Sequence, residues 1–303
     1  MITFIGHYGM SLLMDVNRFA VPGETVEGLK LKTEPGGKGY NQAVSAARLG
    51  AEVSFITAVG GDDFGMSCDE DLKAEGIVSR NIITFPKKRT ACAFVINSAE
   101  KQSEVYVYPG AIRDVTPSHI EQYAKVIRKS KLLVVQNEIS AEALLAAVDI
   151  AYKAGVPIIY NPAPAREVPP EIYIKADCIT PNETEAAILT DAAPDKELDV
   201  KTAVRALHEL GASNVIITLG PKGAAVSAAG GKLTIIPALN MPVVSTTGAG
   251  DCFNAALAVH FSKYGDYLQS AGYAVAASGI SVSRPGVIAS LPYKSDLEEV
   301  YTC

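Results

Sequence analysis

The chain has 303 residues, of which 48% are hydrophobic and 20% charged, so it can bury one large core or two ordinary ones. Its formal net charge of −6 disfavours a surface that attracts nucleic acid or an anionic membrane. The five scattered cysteines form no C-x-x-C pair and no zinc pattern, which indicates reduced thiols and a cytoplasmic protein. No apolar run is long enough to span a bilayer, and the N-terminus is predicted to be a strand rather than a signal peptide.

The first third of the chain mixes strands, helices and irregular segments. The apolar run Ile2–Gly6 predicts a central strand. Helices are predicted at 38–49 and 65–75, with a strand at 53–59 between them.

Two further segments lack helical periodicity and contain strand-forming residues. They cover residues 11–33 and 91–108. They do not fit inside a parallel sheet. They predict either a small separate sheet or a pair of edge strands on the main one.

From Ser118 onward, helices and strands alternate regularly. This alternation predicts a parallel sheet covered by helices on both faces. A hairpin follows at 224–228 and 232–236. The predicted helices are 118–129, 141–154, 183–189, 200–210, 249–261 and 269–281, and the predicted strands are 132–136, 157–161, 178–180 and 215–219.

A late segment joins a β-branched run to a turn of small residues and then a helix. Gly248, Ala249 and Gly250 carry no bulk, so the N–H groups at the mouth of the helix can face an anion. Asp251 follows directly. A carboxylate base beside an anion hole is what phosphoryl transfer to an alcohol requires. The same pattern also occurs where an Asp simply caps a helix, so this segment alone leaves both interpretations open.

An early segment also places a glycine-rich turn before a helix. Three glycines within residues 35–43 precede a helix, and Lys38 and Asn41 lie one turn apart, where they can point the same way. A loop with an exposed polar face is the alternative. The chain has no Walker A loop and no dinucleotide fingerprint after its first strand, so nucleotide binding must depend on later segments.

Together these segments resemble the ribokinase family of carbohydrate kinases (phosphofructokinase-B type). Four other segments agree in order: Pro22–Thr25 (PGET), Asn161–Glu167 (NPAPARE), Thr180–Ala186 (TPNETEA) and Ile217–Gly223. The resemblance implies one ribokinase-like α/β domain over residues 1–303, with a mostly parallel central sheet, helices on both faces and a small β-sheet lid from 11–33 and 91–108. It implies ATP-dependent transfer of the γ-phosphate to a sugar hydroxymethyl group.

The resemblance also implies the site. Asp251 is the expected general base, with Gly248, Ala249 and Gly250 as the anion hole. Glu185 is expected to organise Mg²⁺ through water, although a first-turn acid is common on any helix. The positions expected to bind sugar are Gly9, Ser11, Gly37, Lys38, Asn41, Glu138 and Asp251. The positions expected to bind ATP are Asn182, Thr218, Gly220, Lys222 and Gly223. The positions expected at a K⁺ site are Ser245, Thr247, Ser281, Arg284, Gly286 and Ser290. Glu138 has an equal alternative as a solvated loop residue.

Two departures from the family pattern affect the expected substrate and activator. Gly9 and Ser11 stand where the family has Asn-x-Asp, which predicts open space and a sugar other than ribose, such as a bulkier, phosphorylated or otherwise modified one. Ser245 stands where many members have Asp, which predicts weaker or altered activation by the cation.

Two alternative functions and one assembly are also expected. A nucleoside kinase of the same family would need an aromatic pocket, for which Tyr8, Tyr40, Phe94 and Tyr106 are candidates. A non-catalytic sugar sensor on a kinase fold is the second alternative. The open edge of the lid predicts a homodimer formed through the lid.

Overall fold

A computed structural model describes residues 1–78, 80–100, 102–192, 197–229 and 231–301. Its strands are β1 Ile2–Ile5, β2 Gly9–Val16, β3 Gly28–Gly36, β4 Val53–Gly60, β5 Ile82–Phe85, β6 Ala91–Ser98, β7 Ser103–Tyr108, β8 Leu132–Gln136, β9 Ile158–Asn161, β10 Cys178–Ile179, β11 Asn214–Thr218, β12 Ala224–Ser227 and β13 Thr234–Ile236. Its helices are α1 Lys38–Arg48, α2 Asp63–Ala74, α3 Pro117–Glu121, α4 Ala124–Arg128, α5 Ala141–Lys153, α6 Glu171–Lys175, α7 Glu183–Leu189, α8 Val200–Glu209, α9 Ala249–Tyr264, α10 Tyr267–Val282 and α11 Lys294–Glu298.

The central sheet has nine strands in the order β13-β12-β11-β10-β9-β8-β1-β4-β5. The pairs from β11 to β5 are parallel, whereas β12 and β13 add an antiparallel hairpin at one edge. Because side chains alternate along a strand, Phe4 joins the core packed under α1, α9 and α10, whereas Ile5 joins the core under α5. The expected parallel sheet with helices on both faces is confirmed.

The lid is a separate four-stranded sheet in the order β3-β2-β6-β7. It is built from the two segments in which strands were predicted, so the reading as edge strands of the main sheet is wrong. Its first hairpin begins at Gly9 and ends at Gly36, and so reaches closer to the central sheet than predicted.

The remaining differences are local. The helix predicted at 118–129 is interrupted, because the amide of Tyr123 bonds back three residues to Ile120 and separates α3 from α4. The short elements β5, α6 and α11 were not predicted, since four or five residues carry too little periodicity to detect. Among the residues that the structure describes, no helix is both long and apolar enough to cross a bilayer.

Candidate active site

The carboxyl ends of the central strands open onto a cleft of about 220 Å³. Residues predicted for the base, the sugar and ATP meet there, although they lie far apart in the sequence. The lining residues are Lys38, Asn161, Ala163, Thr180, Asn182, Glu185, Thr218, Thr246, Gly248, Gly250, Asp251 and Asn254. A crevice at this edge is where open α/β sheets bind ligands.

The start of α9 forms one wall of this cleft. Gly248 begins the helix with a φ of 84°, which a side chain would strain. A Cβ there would also lie 2.9 Å from Val287 Cγ1. Gly250 instead faces open space. The backbone of the first turn therefore borders the cleft without side chains in the way.

Asp251 is the third residue of α9 and is 8% exposed. Its carboxylate accepts hydrogen bonds from Asn41 Nδ2 at 2.8 Å and Gln42 Nε2 at 3.0 Å. Burial raises the pKa of Asp251 above its ordinary value, while the nearby Lys38 ammonium and the two amides oppose that rise. A buried carboxylate with a raised pKa is well suited to take a proton.

A buried amide network behind Asp251 was missed by the sequence reasoning. Gln42 accepts from Gln136 Nε2 at 2.7 Å and donates to Asn161 Oδ1 at 3.2 Å. Asn161 in turn donates to the carbonyl of Thr180 at 3.0 Å. Gln136 and Asn161 are the last residues of β8 and β9, so a polar residue closing a buried strand was the available signal.

Lys38, which lines the cleft, lies beside Glu138. Glu138 accepts the backbone N–H of Lys38 at 2.8 Å, and its side chain is largely buried, which rules out the solvated-loop alternative. Burial alone would raise the pKa of Glu138, but His7 and Lys38 outweigh it and hold the pKa below its ordinary value. The Asp251 charge raises the pKa of Lys38, which keeps the ammonium charged.

His7 lies beside Glu138, and the sequence reasoning gave it no role. Its Nδ1 lies 3.5 Å from Glu138 Oε2, and its carbonyl accepts the N–H of Tyr40 at the start of α1. Gly37, with a φ of 103°, packs against the ring, and a Cβ there would lie 2.5 Å from the carbonyl oxygen of His7. The glycine-rich turn therefore closes directly over His7.

The positions of Gly9 and Ser11 correct one expectation. The space beside Gly9 is filled, because a Cβ there would lie 2.6 Å from the Ala91 carbonyl oxygen and 2.8 Å from His7 Nε2. Ser11 is half-buried and pairs with Glu34 across the β2–β3 ladder. The predicted open space at position 9 is thus wrong.

Asn182 and Glu185 form a reciprocal cap on α7. Glu185 Oε2 accepts the Asn182 N–H at 2.9 Å, and Asn182 Oδ1 accepts the Glu185 N–H at 2.7 Å. Both residues also border the cleft. Burial raises the pKa of Glu185, so a cation near its carboxylate would be favoured.

The loop predicted to bind ATP follows β11. Thr218 borders the cleft, whereas Gly220 and Gly223 have φ values of 53° and 96° around a short 3₁₀ turn. Lys222 is exposed, and its ammonium lies 2.8 Å from Glu197 Oε1. Its predicted contact with a phosphate stays a prediction.

The positions expected at a cation site come from the loop before α9 and from the end of α10 with the loop after it, and these two segments lie side by side. The N–H groups of Val244 and Ser245 both bond to the Val282 carbonyl. Ser281 and Ser290 share a 3.0 Å hydrogen bond, and the side chain of Arg284 turns away to Asp296. Gly286 has a φ of 87°, and Thr247 is exposed. A cation there would depend mainly on carbonyl oxygens.

The aromatic pocket required of a nucleoside kinase does not form from the four residues named for it. Tyr8 and Tyr40 are fully buried and pack edge to face in the core. Phe94 and Tyr106 are cross-strand partners on the lid. Phe94 follows Ala93, the partner of Ser11, so Phe94 and Tyr106 point to the lid face opposite to that of Ser11.

Comparison with known proteins agrees with the fold. The model of the pfkB family of carbohydrate kinases matches residues 1–294. A ribokinase of Bacillus subtilis is 36% identical over 99% of this chain and 98% of its own length. A deoxyribokinase of Salmonella typhi is 32% identical over 96% of this chain and 95% of its own.

Among solved structures, Arabidopsis thaliana ribokinase complexed with ribose and ATP superposes with a TM-score of 0.92. It is 27% identical, and the match covers 98% of this chain and 97% of that one. The nine-stranded sheet, the small separate lid, the cleft around Asp251 and these matches lead to one assignment. The chain belongs to the pfkB family of carbohydrate kinases.

Proposed function

We propose that Asp251 of this ATP-dependent sugar kinase removes the proton from a sugar hydroxymethyl group as its oxygen attacks the γ-phosphate of ATP. The observation that carries this proposal is the position of Asp251, buried at the start of α9 and held by two amide donors. Its carboxylate borders the cleft next to Gly248 and Gly250. Backbone N–H groups there would hold the charge on the moving phosphoryl group.

Two sets of residues near Asp251 divide between the sugar and ATP. Lys38, Asn41 and Glu138 form the first set, and Asn41 Oδ1 is buried without a hydrogen-bond partner among the described residues, as an atom awaiting a hydroxyl would be. Thr218 and the loop of Gly220 and Gly223 form the second. We assign the first set to the sugar and the second, with Asn182 and Lys222, to ATP.

Mg²⁺ would be held near Glu185. Among the described residues, no three side chains of Asp, Glu, His or Cys come together to hold a metal ion. Protein side chains alone therefore do not complete a coordination shell. Mg²⁺ is usually bound by one or two carboxylates together with water and phosphate oxygens. Glu185 can supply that carboxylate, and a cation beside it would favour its charged form, which burial disfavours. The ion would neutralise charge on the triphosphate. The Ser245 and Ser290 loops would hold K⁺ weakly, since no carboxylate stands at position 245.

Turnover on a panel of sugars tests the proposed function. ADP release should depend on both one sugar of the panel and Mg²⁺. Tight binding of a sugar without turnover would instead support the sugar sensor. Turnover of a nucleoside alone would support the nucleoside kinase, although the burial of Tyr8 and Tyr40 argues against it.

Gly250→Ala tests the anion hole. A Cβ at position 250 meets no atom within 4 Å, and alanine favours a helix, so the stability of the fold should not fall. The added methyl group nonetheless enters the cleft where the phosphoryl group must pass. We expect kcat to fall by about 10–100-fold, the scale of a lost oxyanion contact or less. An unchanged kcat would show that the phosphoryl group does not approach the first turn of α9.

We also propose that the enzyme is a homodimer formed through the lid, in the cytoplasm. The lid exposes Leu31, Phe94, Tyr106 and Val107, each at least 45% accessible, on a sheet whose outer strand β7 is exposed throughout. Apolar side chains on an open sheet edge are usually covered by a partner. The four described cysteines are free thiols, as a reducing compartment would leave them.

Sedimentation at micromolar concentration should therefore show a dimer. Tyr106→Asp should shift it to monomer, because it places a charge in the apolar lid interface. Tyr152→Asp is the matched control, since Tyr152 is also exposed but lies on α5, away from the lid. A monomeric wild-type protein, or equal effects of the two substitutions, would contradict lid-mediated dimerisation.

A further inference from the structure

The imidazole of His7 carries a polar atom with no assigned use. His7 is 6% exposed, and its Nε2 has no hydrogen-bond partner anywhere in the described part of the chain. A buried unpaired ring nitrogen is costly unless a ligand or water satisfies it. The other ring nitrogen is already engaged, because Nδ1 faces Glu138.

The contacts of His7 fix where Nε2 lies. The same carboxylate oxygen, Glu138 Oε2, lies 3.5 Å from His7 Nδ1 and accepts the backbone N–H of Lys38. The ammonium of Lys38 in turn interacts with Asp251. Glu138 and Lys38 thus link His7 to Asp251. A sugar whose reacting hydroxyl sits at Asp251 would extend over Lys38 toward His7.

Gly9 explains why the imidazole can occupy this place. Nε2 lies 2.8 Å from where a Cβ of residue 9 would be, so any larger residue at position 9 would collide with the ring. His7 therefore fills the space that the missing side chain leaves. Its Nε2 lies at the junction of the central sheet and the lid strand β2.

The neighbouring lid strands add polar groups on the same side. Ser11 Oγ lies 2.8 Å from where a Cβ of Gly36 would be, and Ser11 pairs directly with Glu34. Cross-strand partners point to the same face of a sheet. Glu34 is 8% exposed and forms an ion pair with Lys32. Ser11 and Glu34 therefore add polar groups to the lid face that carries Gly9, beside His7, which suits a hydroxylated ligand better than an apolar base.

We propose that His7 is a specificity-determining residue that binds one hydroxyl of the sugar, remote from the hydroxymethyl group that is phosphorylated. A hydroxyl both donates and accepts, so it satisfies Nε2 whether the imidazole is neutral or charged. The proposal rests on the proposed sugar-kinase function and names the group through which this chain selects its sugar. His7 takes no part in the transfer itself.

Two substitutions separate the two ring nitrogens. His7→Asn places an amide near the position of Nδ1, so it can keep the contact with Glu138 but lacks an atom at Nε2. His7→Gln reaches further and can return a polar atom near Nε2. If His7 had only a structural role, the variant that packs better would be the one closer to the wild-type protein. A role in binding predicts that only Gln preserves selectivity.

The readout is the equilibrium binding, by calorimetry without ATP, of D-ribose, D-fructose and their monodeoxy derivatives. Removing the hydroxyl that His7 binds should weaken binding of the sugar to the wild-type protein by about 10-fold or more. The same deletion should cost His7→Asn at most about 2-fold, while His7→Gln keeps much of the discrimination. Deleting any other hydroxyl should affect all three proteins equally.

The outcomes distinguish this proposal from the proposed function. If the wild-type protein binds but does not phosphorylate its sugar, the kinase proposal fails while the binding cycle still judges His7. A second outcome is that the wild-type protein phosphorylates a sugar, but each missing hydroxyl weakens binding equally in the wild type and in His7→Asn. That outcome would overturn the role of His7. Absence of binding by any panel sugar would overturn it as well.

Discussion

Asp251→Asn is expected to lower kcat on the order of 10²–10⁴-fold, the usual contribution of a general base. The amide keeps the shape of the carboxylate but cannot take the hydroxyl proton. The fold should tolerate the change, because Asn41 can rotate its amide and present its unpartnered Oδ1 to the new N–H₂ group. The KM for the sugar should change less than kcat, since Lys38 and Glu138 remain and the rotated Asn41 still offers its N–H₂ group to a sugar hydroxyl, which can accept as well as donate.

The matched control is Asp266→Asn. Asp266 caps α10, the helix after α9, and asparagine caps helices about as well as aspartate. This control should leave kcat unchanged, which would show that replacing one acidic residue at a helix start is not itself harmful. A kcat within a few-fold of wild type for Asp251→Asn would remove Asp251 from the role of base.

The pH profile adds an independent reading of the same residue. Burial raises the pKa of Asp251, and a base works only when unprotonated. Activity should therefore decline as the pH falls through a pKa higher than that of an ordinary aspartate. The residual activity of Asp251→Asn should lack this acid limb. An unshifted limb that persists in the variant would belong to another group.

The sequence predicted the elements that carry a long period or a short motif. The alternation after Ser118 predicted the parallel sheet, and the two glycine-rich turns predicted where α1 and α9 begin. Both turns meet in the cleft because each precedes a helix at the same edge of the sheet. Local chemistry and topology were enough for these parts.

His7 and Gln42 show why the rest could not be predicted. His7 belongs to no motif, and Gln42 lies in the early glycine-rich segment without a spacing that reveals its role, since their partners Glu138 and Asp251 are distant in the chain. Only the packing of β1, α1 and α9 brings them together. Similarly, Gly9 looked like a gap in sequence, but the ring of His7 and the Ala91 carbonyl fill it. A missing side chain predicts open space only if no neighbour takes its place.

Gly223→Ala is expected to produce the second large effect. Gly223 has a φ of 96°, and a Cβ there would lie 1.9 Å from the Ile236 carbonyl oxygen. That neighbour is backbone of β13, so it cannot rotate away. Backbone strain of about 1–3 kcal/mol and overpacking of about 1–3 kcal/mol should together lower the free energy of unfolding by several kcal/mol. Displacing the β12–β13 hairpin should also raise the KM for ATP more than the KM for the sugar.

Gly220→Ala provides the control within the same loop. Gly220 also has a positive φ, 53°, but a Cβ there meets nothing within 4 Å. It should therefore cost only the left-handed backbone term of about 1–2 kcal/mol. Urea unfolding of both variants, with KM values for each substrate, measures the difference. Gly223 also has a ψ of −123°, outside the left-handed helical region, so its backbone strain alone can reach about 3 kcal/mol, and a loss beyond that assigns the excess to the contact with Ile236. Equal losses would mean that backbone strain alone explains both, and that the hairpin does not constrain the loop predicted to bind ATP.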